Sequence, residues 1–354
     1  MFCKRLNGKC RVILLILACL FLNNLCFSSE YVFTVKGNKI YLNNNEFKVI
    51  GLRCSNALAS DASTRQLVDN LDVFKSYGIN TISVYFMGSR FGDVKGYRPD
   101  ASLDPVYAAR MSKIIEAADK RGMVVLVGCL YWSTSKAKED LGDWRQADAN
   151  KAIANTVKWL SEHQYRNVFV DPDNEGMAVR DNDWKTEQMI KAAHAVAPSI
   201  MIANNSRQAA PSSDLNSHRG PKESDKPWLN SEAPPRVKTV RYWGDYSKSK
   251  DVYNYIRVGR YSAAMKEKQI EATRFTLEKY NGYMLASTWL QCVSNGSING
   301  PYMKPGGYSV ISDSDIDKDI EEVHEDAGIR WWLEFIKAEY GPWEPKGQDK
   351  ECRN

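Results

Sequence analysis

The chain has 354 residues and a formal net charge of +5, and this length lies within the range of one α/β barrel. Residues 1–28 hold four of the positive charges and no negative one, so without them the net charge falls from +5 to +1. So small a balance gives no reason to expect a nucleic-acid partner.

The first 28 residues are predicted to form a secretory signal peptide. Four basic residues precede an apolar run over 12–22, which is too short to span a bilayer comfortably. Cys26 and Ser28 place small residues before a cleavage site near Ser28. Residues 16–19 resemble a lipoprotein box only faintly, because Leu17 is off-pattern, so lipid anchoring is the less favoured alternative. We therefore expect 29–354 to form one catalytic domain, secreted or periplasmic, without a stable membrane span.

Four cysteines remain after this leader: Cys54, Cys129, Cys292 and Cys352. None of them forms a CxxC pair, which disfavours a zinc ribbon or a redox motif. An exported chain permits disulfides, but spacing alone does not reveal their connectivity.

After the leader, apolar and polar residues alternate over 31–54 around two turn signals, as in a small hairpin that leads into a further strand. Four pairs of an amphipathic helix and an apolar strand follow. The helices are predicted at 64–78, 105–122, 147–164 and 183–198, and the strands at 79–86, 123–132, 167–175 and 199–205. Strands that are apolar throughout and alternate with helices indicate a parallel sheet covered by helices.

The pattern is looser in the second half of the chain. Weaker strands are predicted at 213–218, 226–234 and 283–292, and helices at 268–282 and 327–341. Counted from residue 48, the strands number eight, which favours a (β/α)₈ barrel over an open doubly wound sheet. No glycine-rich nucleotide fingerprint follows any strand, so no nucleotide cofactor is expected.

Two glutamates stand out because each ends a strongly apolar strand: Glu175 on the fourth and Glu232 on the seventh. Barrel chemistry is located at the carboxyl ends of the strands, and two carboxyl groups about 5–5.5 Å apart suit retaining glycoside hydrolysis. A single glutamate after a strand is usually a solvated loop charge. Two glutamates at these strand ends, with Asn174 directly before the first, favour an active site. A calcium loop over 171–182 is disfavoured, because its twelfth residue is Asn182 and not a glutamate.

These motifs resemble those of clan A glycoside hydrolases, and the layout is most similar to the family-five, cellulase-like enzymes. Asn174-Glu175 matches the Asn-Glu that ends the fourth strand, and the segment 226–232 matches the setting of the nucleophile on the seventh. The resemblance implies that Glu175 is the acid/base, Glu232 the nucleophile and Asn174 a ligand of the sugar 2-hydroxyl. It also implies that the N-terminal hairpin closes the floor of the barrel.

The resemblance further implies a histidine on the sixth strand and a tryptophan platform on the eighth, for which His218 and Trp289 are the candidates. Trp132, at the end of the third strand, offers a second flat face for a sugar ring. The arginine expected on the second strand is absent, and Arg53 at the end of the first is the candidate replacement. The tyrosine expected two residues after the histidine is also absent, with Tyr242 and Tyr246 as candidates.

Acid and nucleophile need different charge states. We expect a raised pKa for Glu175, caused by the neighbouring Glu232, and an ionised Glu232 held by a cation such as Arg53.

The sequence thus favours a secreted retaining glycoside hydrolase that cleaves a β-linked poly- or oligosaccharide without metal or cofactor. The alternative is a carbohydrate-binding protein that has lost catalysis on the same barrel. A metal-dependent hydrolase is disfavoured, because only His218 lies near a strand end. Basic residues on the predicted upper loops could meet an anionic glycan, although charged loops are usually only solvated: Arg90, Lys95, Arg98, Arg207, Arg219, Arg236 and Arg241.

Overall fold

The computed structural model describes residues 28–89, 93–222, 225–233, 263–286 and 329–346. The first structured segment is a small antiparallel sheet of β1 (Phe33–Lys36), β2 (Lys39–Leu42) and β3 (Asn45–Glu46). Its first turn uses Gly37 at φ 57°, a left-handed conformation that glycine adopts without steric cost. The predicted hairpin is therefore confirmed.

Eight parallel strands form a closed barrel, which confirms the predicted (β/α)₈ fold. They are β4 (Val49–Arg53), β5 (Thr81–Tyr85), β6 (Val124–Leu130), β7 (Val168–Asp173), β8 (Met201–Asn204), β9 (Leu215–Ser217), β10 (Trp228–Ala233) and β11 (Gly282–Leu285). The last strand closes the barrel on the first: Gly282 pairs with Val49 and Leu285 with Leu52.

Helices cover the outside of the barrel. The described helices are α1 (Asp61–Ser76), α2 (Pro105–Asp119), α3 (Gln146–Glu162), α4 (Met177–Asn182), α5 (Thr186–Val196), α6 (Ala263–Lys279) and α7 (Arg330–Tyr340). The first helix begins where the Ser60 hydroxyl accepts from the Ser63 amide, and it buries Leu67, Leu71 and Phe74 at helical spacing.

The small sheet lies at the amino ends of the barrel strands. Phe33 of β1 stacks on Phe169, the second residue of β7, with ring centroids 4.9 Å apart, and meets Phe47 edge-on. The Asp119 carboxylate at the end of α2 accepts from the backbone amides of Glu30 and Tyr31. The sheet thus covers the floor, as predicted, and leaves the carboxyl ends of the strands at the opposite rim.

Several sequence predictions fall outside the described residues. These are the leader up to residue 27, Tyr242, Tyr246, Trp289, Cys292 and Cys352, and they stay predictions. Cys54 and Cys129 are buried. Over the part of the chain that the structure covers, no helix combines the length and apolar character needed to cross a membrane.

The floor contact predicts a large loss of stability when the Phe33 ring is removed. Phe33→Ala should lower the free energy of unfolding by about 3–5 kcal/mol, because it deletes a buried aromatic side chain and leaves a cavity beside Phe169. Urea unfolding followed by tryptophan fluorescence measures the change. Lys39→Ala on the exposed face of the same sheet is the control and should leave the midpoint unchanged. Equal midpoints for both variants would contradict the docking described.

Candidate active site

The predicted side chains converge at the carboxyl rim of the barrel. Glu175 follows β7, His218 follows β9, and Glu232 is the fifth residue of β10. One oxygen of each glutamate and one nitrogen of the histidine all lie within 4.8 Å of one another. Residues from three strands that are distant in sequence therefore share one small space.

Arg53, the last residue of β4, contacts both Glu232 and Asn174, the residue before Glu175. Its side chain is fully buried, and its Nη2 lies 3.1 Å from Oε2 of Glu232. The same nitrogen donates to Oδ1 of Asn174 at 2.7 Å, and Nη1 donates to the Ser231 carbonyl at 3.3 Å. A cation at this position offsets the cost of burying the Glu232 carboxylate. The replacement of the missing second-strand arginine by Arg53 stays a prediction.

A second group of buried polar residues holds Arg53 and Asn174, and sequence reasoning did not single it out. Asp171 of β7 accepts from the Tyr85 hydroxyl at 2.8 Å and from Asn205 Nδ2 at 2.7 Å. Tyr85 in turn accepts from Arg53. The available signal was Asp171 itself, an acidic residue directly after the apolar run Val168–Val170 and three positions before Asn174.

Tyr85 reaches this network because the neighbouring strand carries a glycine. Gly128 of β6 pairs with Tyr85, and a Cβ at Gly128 would lie only 2.0 Å from the tyrosine ring. Any larger residue would displace the ring and the hydroxyl that binds Asp171. Gly128 is therefore a requirement of close packing, and the sequence gives no sign of it beyond a glycine in a strand.

The two residues that meet at the centre of the site both have left-handed backbone conformations. Glu175 has φ 54° and His218 has φ 38°, values that residues with a side chain rarely adopt. The Asp173 carboxylate holds the first of these turns by accepting from the amides of Ala178 and Val179. Burial raises the pKa of Asp173 to about 8. Strain of this kind persists where a function requires a particular side-chain direction.

Glu175 receives its donors on a single oxygen. His218 Nε2 lies 2.8 Å from Oε1 of Glu175, while Nδ1 of the same ring faces Oδ1 of Asn230 at 3.1 Å. Arg219 donates to the same Oε1 through Nε at 3.2 Å and Nη2 at 3.0 Å. The contact of Arg219 with Glu175 was not predicted, and its only sequence signal is its place directly after His218.

The prediction of a raised pKa for Glu175, with Glu232 the more readily ionised of the two, is wrong. Burial alone would raise the pKa of Glu175, but the hydrogen bond and charge of His218, together with Arg219, lower it to about 2. Burial raises the pKa of Glu232 above its ordinary value, although Arg53 opposes the shift. The reversal arises because Glu175 has two basic neighbours at the rim while Glu232 lies deeper with one.

Glu175, His218 and Glu232 are also the described side chains best placed to share a metal ion. A divalent cation among them would face the guanidinium groups of Arg53 and Arg219, which already contact both carboxylates. Like charges at this distance repel, so the residues present do not suit a metal.

The structure describes one of the two tryptophans that were predicted to contact the sugar. Trp132 lies just beyond β6, is 8% exposed, and packs edge-on against Trp184 with ring centroids 4.9 Å apart. Its contact with a sugar stays a prediction. Trp289 lies outside the described residues.

Asn174 Nδ2 faces the Glu232 carboxylate and, as a hydrogen-bond donor, opposes the rise in the pKa of that group. Asn174 uses its oxygen to fix itself on Arg53, which leaves its amide nitrogen as a donor toward the site.

No protein-family model matches the sequence, and no curated protein matches it. Solved structures do match the fold. A protein described as a glycoside hydrolase aligns with TM-score 0.52 and 14% identity over 82% of this chain and 74% of its own. The chain has the fold of glycoside hydrolases.

Two further matches have the same character. An exo-β-1,4-mannosidase from Opitutaceae bacterium strain TAV5 aligns with TM-score 0.52 and 13% identity, over 83% of this chain and 60% of its own. A family 5 glycoside hydrolase from Bacteroides vulgatus aligns with TM-score 0.50 and 13% identity, over 79% and 68%. At this identity the likeness concerns the fold alone, and it agrees with the predicted (β/α)₈ barrel.

The Arg53 contacts predict a pH-dependent loss of stability. Arg53→Leu should lower the free energy of unfolding at neutral pH by about 3–5 kcal/mol, because Glu232 then remains buried without its cation. The pKa of Glu232 is already above its ordinary value of 4.5, and losing Arg53 raises it further. The carboxyl group becomes neutral as the pH falls, so the loss should shrink toward about pH 5.

Urea unfolding at both pH values measures this loss. Arg98→Leu, which removes a half-exposed arginine paired with Asp104, is the matched control and should behave like the parent chain. A loss for Arg53→Leu that is independent of pH would show that Arg53 acts by packing alone.

Proposed function

We propose that the protein is a retaining glycoside hydrolase that acts on a β-linked poly- or oligosaccharide. The proposal depends on one observation: carboxylate oxygens of Glu175 and Glu232 lie within 4.8 Å at the ends of the fourth and seventh barrel strands. Retaining enzymes place the two carboxyl groups about 5–5.5 Å apart, whereas inverting enzymes need about 6.5–9.5 Å to admit a water.

In the first step, Glu232 attacks the anomeric carbon and forms a glycosyl ester while the bond to the leaving oxygen breaks. Glu175 gives its proton to that oxygen. In the second step Glu175 removes a proton from water, the water oxygen attacks the anomeric carbon, and the ester bond to Glu232 breaks. Two displacements retain the configuration. The positive charge of Arg53 favours the ionised Glu232 that the first step needs.

The proton for the leaving group is available in the pair of Glu175 and His218. Nδ1 of His218 faces the Asn230 oxygen, so this nitrogen carries a hydrogen. Nε2 then either donates its own proton to the Glu175 carboxylate or accepts one from the carboxyl group, across 2.8 Å. One proton is held between the two side chains in both cases, which reconciles the low pKa of Glu175 with a role as acid.

Asn174 supplies a donor to the sugar. Its oxygen is bound to Arg53 and its Nδ2 faces the Glu232 carboxylate, so the amide can donate to a sugar 2-hydroxyl beside Glu232. The β-linked substrate is supported by the fold likeness to the exo-β-1,4-mannosidase.

A carbohydrate-binding protein without catalysis is the second candidate, favoured by the ion pair of Arg219 with Glu175. That ion pair favours the ionised form of Glu175, which cannot protonate a leaving group. A protein that only binds a glycan would retain it. Binding of an oligosaccharide without any product over a long incubation would decide for this candidate.

The two glutamates are predicted to fail differently when replaced. Glu175→Ala should lose about 10²–10⁴-fold in turnover of an oligosaccharide, because the poor leaving group needs a proton. It should keep much of the first step on an activated aryl glycoside, and azide should rescue the second step with retained configuration. Glu232→Ala should lose activity on both substrates, and azide can yield only a product of inverted configuration.

Initial rates and the anomeric configuration of the azide products, followed by NMR, separate these outcomes. Glu339→Ala, at an exposed carboxylate on α7, is the control and should match the parent chain. The opposite pattern would exchange the two roles, and near-normal activity in both variants would refute the proposed site.

We also propose that the protein is exported and begins near Ser29. In support, the Ser29 hydroxyl donates to Asn167 and the Glu30 amide to Asp119, so the chain is bound to the barrel from this point onward. Mass spectrometry of secreted material should give an N-terminus near Ser29. Material that begins at Met1, or at a lipidated Cys19, would contradict the export route proposed.

A further inference from the structure

Arg219 poses a problem for the reaction proposed above. Its Nε and Nη2 both donate to Oε1 of Glu175, the oxygen that also meets His218. A carboxylate that accepts from an arginine at this distance is stabilised in its ionised form, which is the wrong form for protonating a leaving group. The proton that Glu175 shares with His218 is therefore transferred to a leaving group more readily if Arg219 leaves Glu175, or weakens its hold, when the glycan binds.

Arg219 is also the accessible member of this group. Its side chain is 40% exposed, compared with 16% for His218 and 13% for Glu175. A ligand that enters from the rim can reach the guanidinium group without moving the buried residues. Both of its donating nitrogens reach the same glutamate oxygen, so the two parallel hydrogen bonds that a guanidinium group can make to a carboxylate are not formed within the protein.

The charges around the rim show which basic residues are not already neutralised there. Lys95 pairs with Asp140, Arg98 with Asp104, and Arg180 with Asp181. Basic residues with such partners are solvated surface pairs. Arg219 differs because its partner is the carboxylate that the reaction needs.

A second arginine, Arg207, follows the neighbouring strand at an equivalent position. Asn204 of β8 pairs with Asn216 of β9, and Arg207 and Arg219 each follow their strand's paired residue by three positions. Arg207 is exposed and contacts no acidic residue in the described ranges. This part of the rim therefore presents two arginines from adjacent strands.

We propose that Arg219 binds an anionic substituent of the glycan, a carboxylate or a sulfate ester, next to the bond that is cleaved. The proposal rests on the proposed function and names its substrate class. The substituent takes both N–H groups of the guanidinium and draws Arg219 away from Glu175. Glu175 then keeps its contact with His218 but loses the second cation, while burial and the negative Glu232 within 4.8 Å both raise its pKa toward the protonated acid. A neutral glycan offers no anion for this exchange, so Glu175 stays paired and ionised.

The charged and titratable groups that face Glu175 come from every neighbouring element: His218 and Arg219 after β9, Arg53 of β4, Glu232 of β10 and Tyr131 after β6. Among them only Arg219 is more than a third exposed. Loss of Arg219 raises the pKa of Glu175, so the basic limb of the profile of kcat/KM against pH should move to higher pH.

The test uses three matched substrates: a β-1,4-linked oligouronate, the neutral oligosaccharide made by reducing its carboxyl groups, and the 6-O-sulfated form of that neutral product. The parent chain should favour one or both anionic substrates over the neutral one by about tenfold or more in kcat/KM, the size of one charge-assisted hydrogen bond. The uronate and sulfate arms distinguish the two sources of negative charge.

Arg219→Ala should change the rates in opposite directions. It should lower kcat/KM for the preferred anionic substrate by about tenfold and raise kcat for the neutral one, because the acid is released. Arg219→Lys keeps the positive charge but lacks the planar guanidinium group. Its rates should lie between those of the parent chain and those of Arg219→Ala. Arg274→Ala removes an exposed arginine that binds Glu339 on the outer helices, and it should match the parent chain on all three substrates.

Two results would overturn the inference. One is equal turnover of the neutral and anionic substrates by the parent chain. The other is a change of kcat/KM in the same direction on all three substrates in Arg219→Ala. Arg219 would then either inhibit the reaction generally or serve only in packing. Calorimetric binding of the same three glycans to Glu232→Ala tests the anion preference without turnover. Failure of the proposed function would appear differently, as absence of any Glu232-dependent hydrolysis while this preference in binding remains.

Discussion

The buried charge of Arg53 is the constraint on which the rest of the site depends. A guanidinium group with no exposure to solvent needs a carboxylate and several acceptors, and Glu232, Asn174 and the Ser231 carbonyl supply them. Arg53 and these partners come from the first, fourth and seventh strands of the barrel. The position of the proposed nucleophile is thus set by the same contacts that make burial of the arginine tolerable, and the closed barrel keeps those three strand ends together.

The two carboxylates lie in different electrostatic surroundings although they are close in space. Glu232 lies deep, where burial favours its neutral form and one arginine opposes this. Glu175 lies nearer the rim, where His218 and Arg219 favour its ionised form. For hydrolysis the preferences must be exchanged when a glycan binds. The ionisation of Glu175, the proposed acid, thus depends on side chains nearer the rim, whereas that of Glu232, the proposed nucleophile, depends on the fully buried Arg53.

Much of the fold and part of the site could be read from the sequence. Apolar strands alternating with amphipathic helices predict eight strands correctly, and Asn174-Glu175 marks the end of the fourth. The contact of Arg219 with Glu175 could not be predicted, because it requires the left-handed turn at His218, which no residue pattern signals. Asp171 directly follows the apolar run Val168–Val170, and its role depends on Tyr85 and Asn205 arriving from neighbouring strands. The pKa order depends on relative depth, which only the folded chain defines.

The pairing of β11 with β4 has a consequence for how the chain folds. Gly282 must find Val49 across more than two hundred intervening residues, so the contact that completes the barrel has a high sequence separation and closes a loop at considerable entropic cost. Until the last strand is synthesised, β4 presents an unpaired edge with exposed backbone groups, which invites association between chains. A protein with this topology cannot complete its barrel progressively from the N-terminus. Its hydrogen bonds between β4 and β11 form only after β11 has been synthesised.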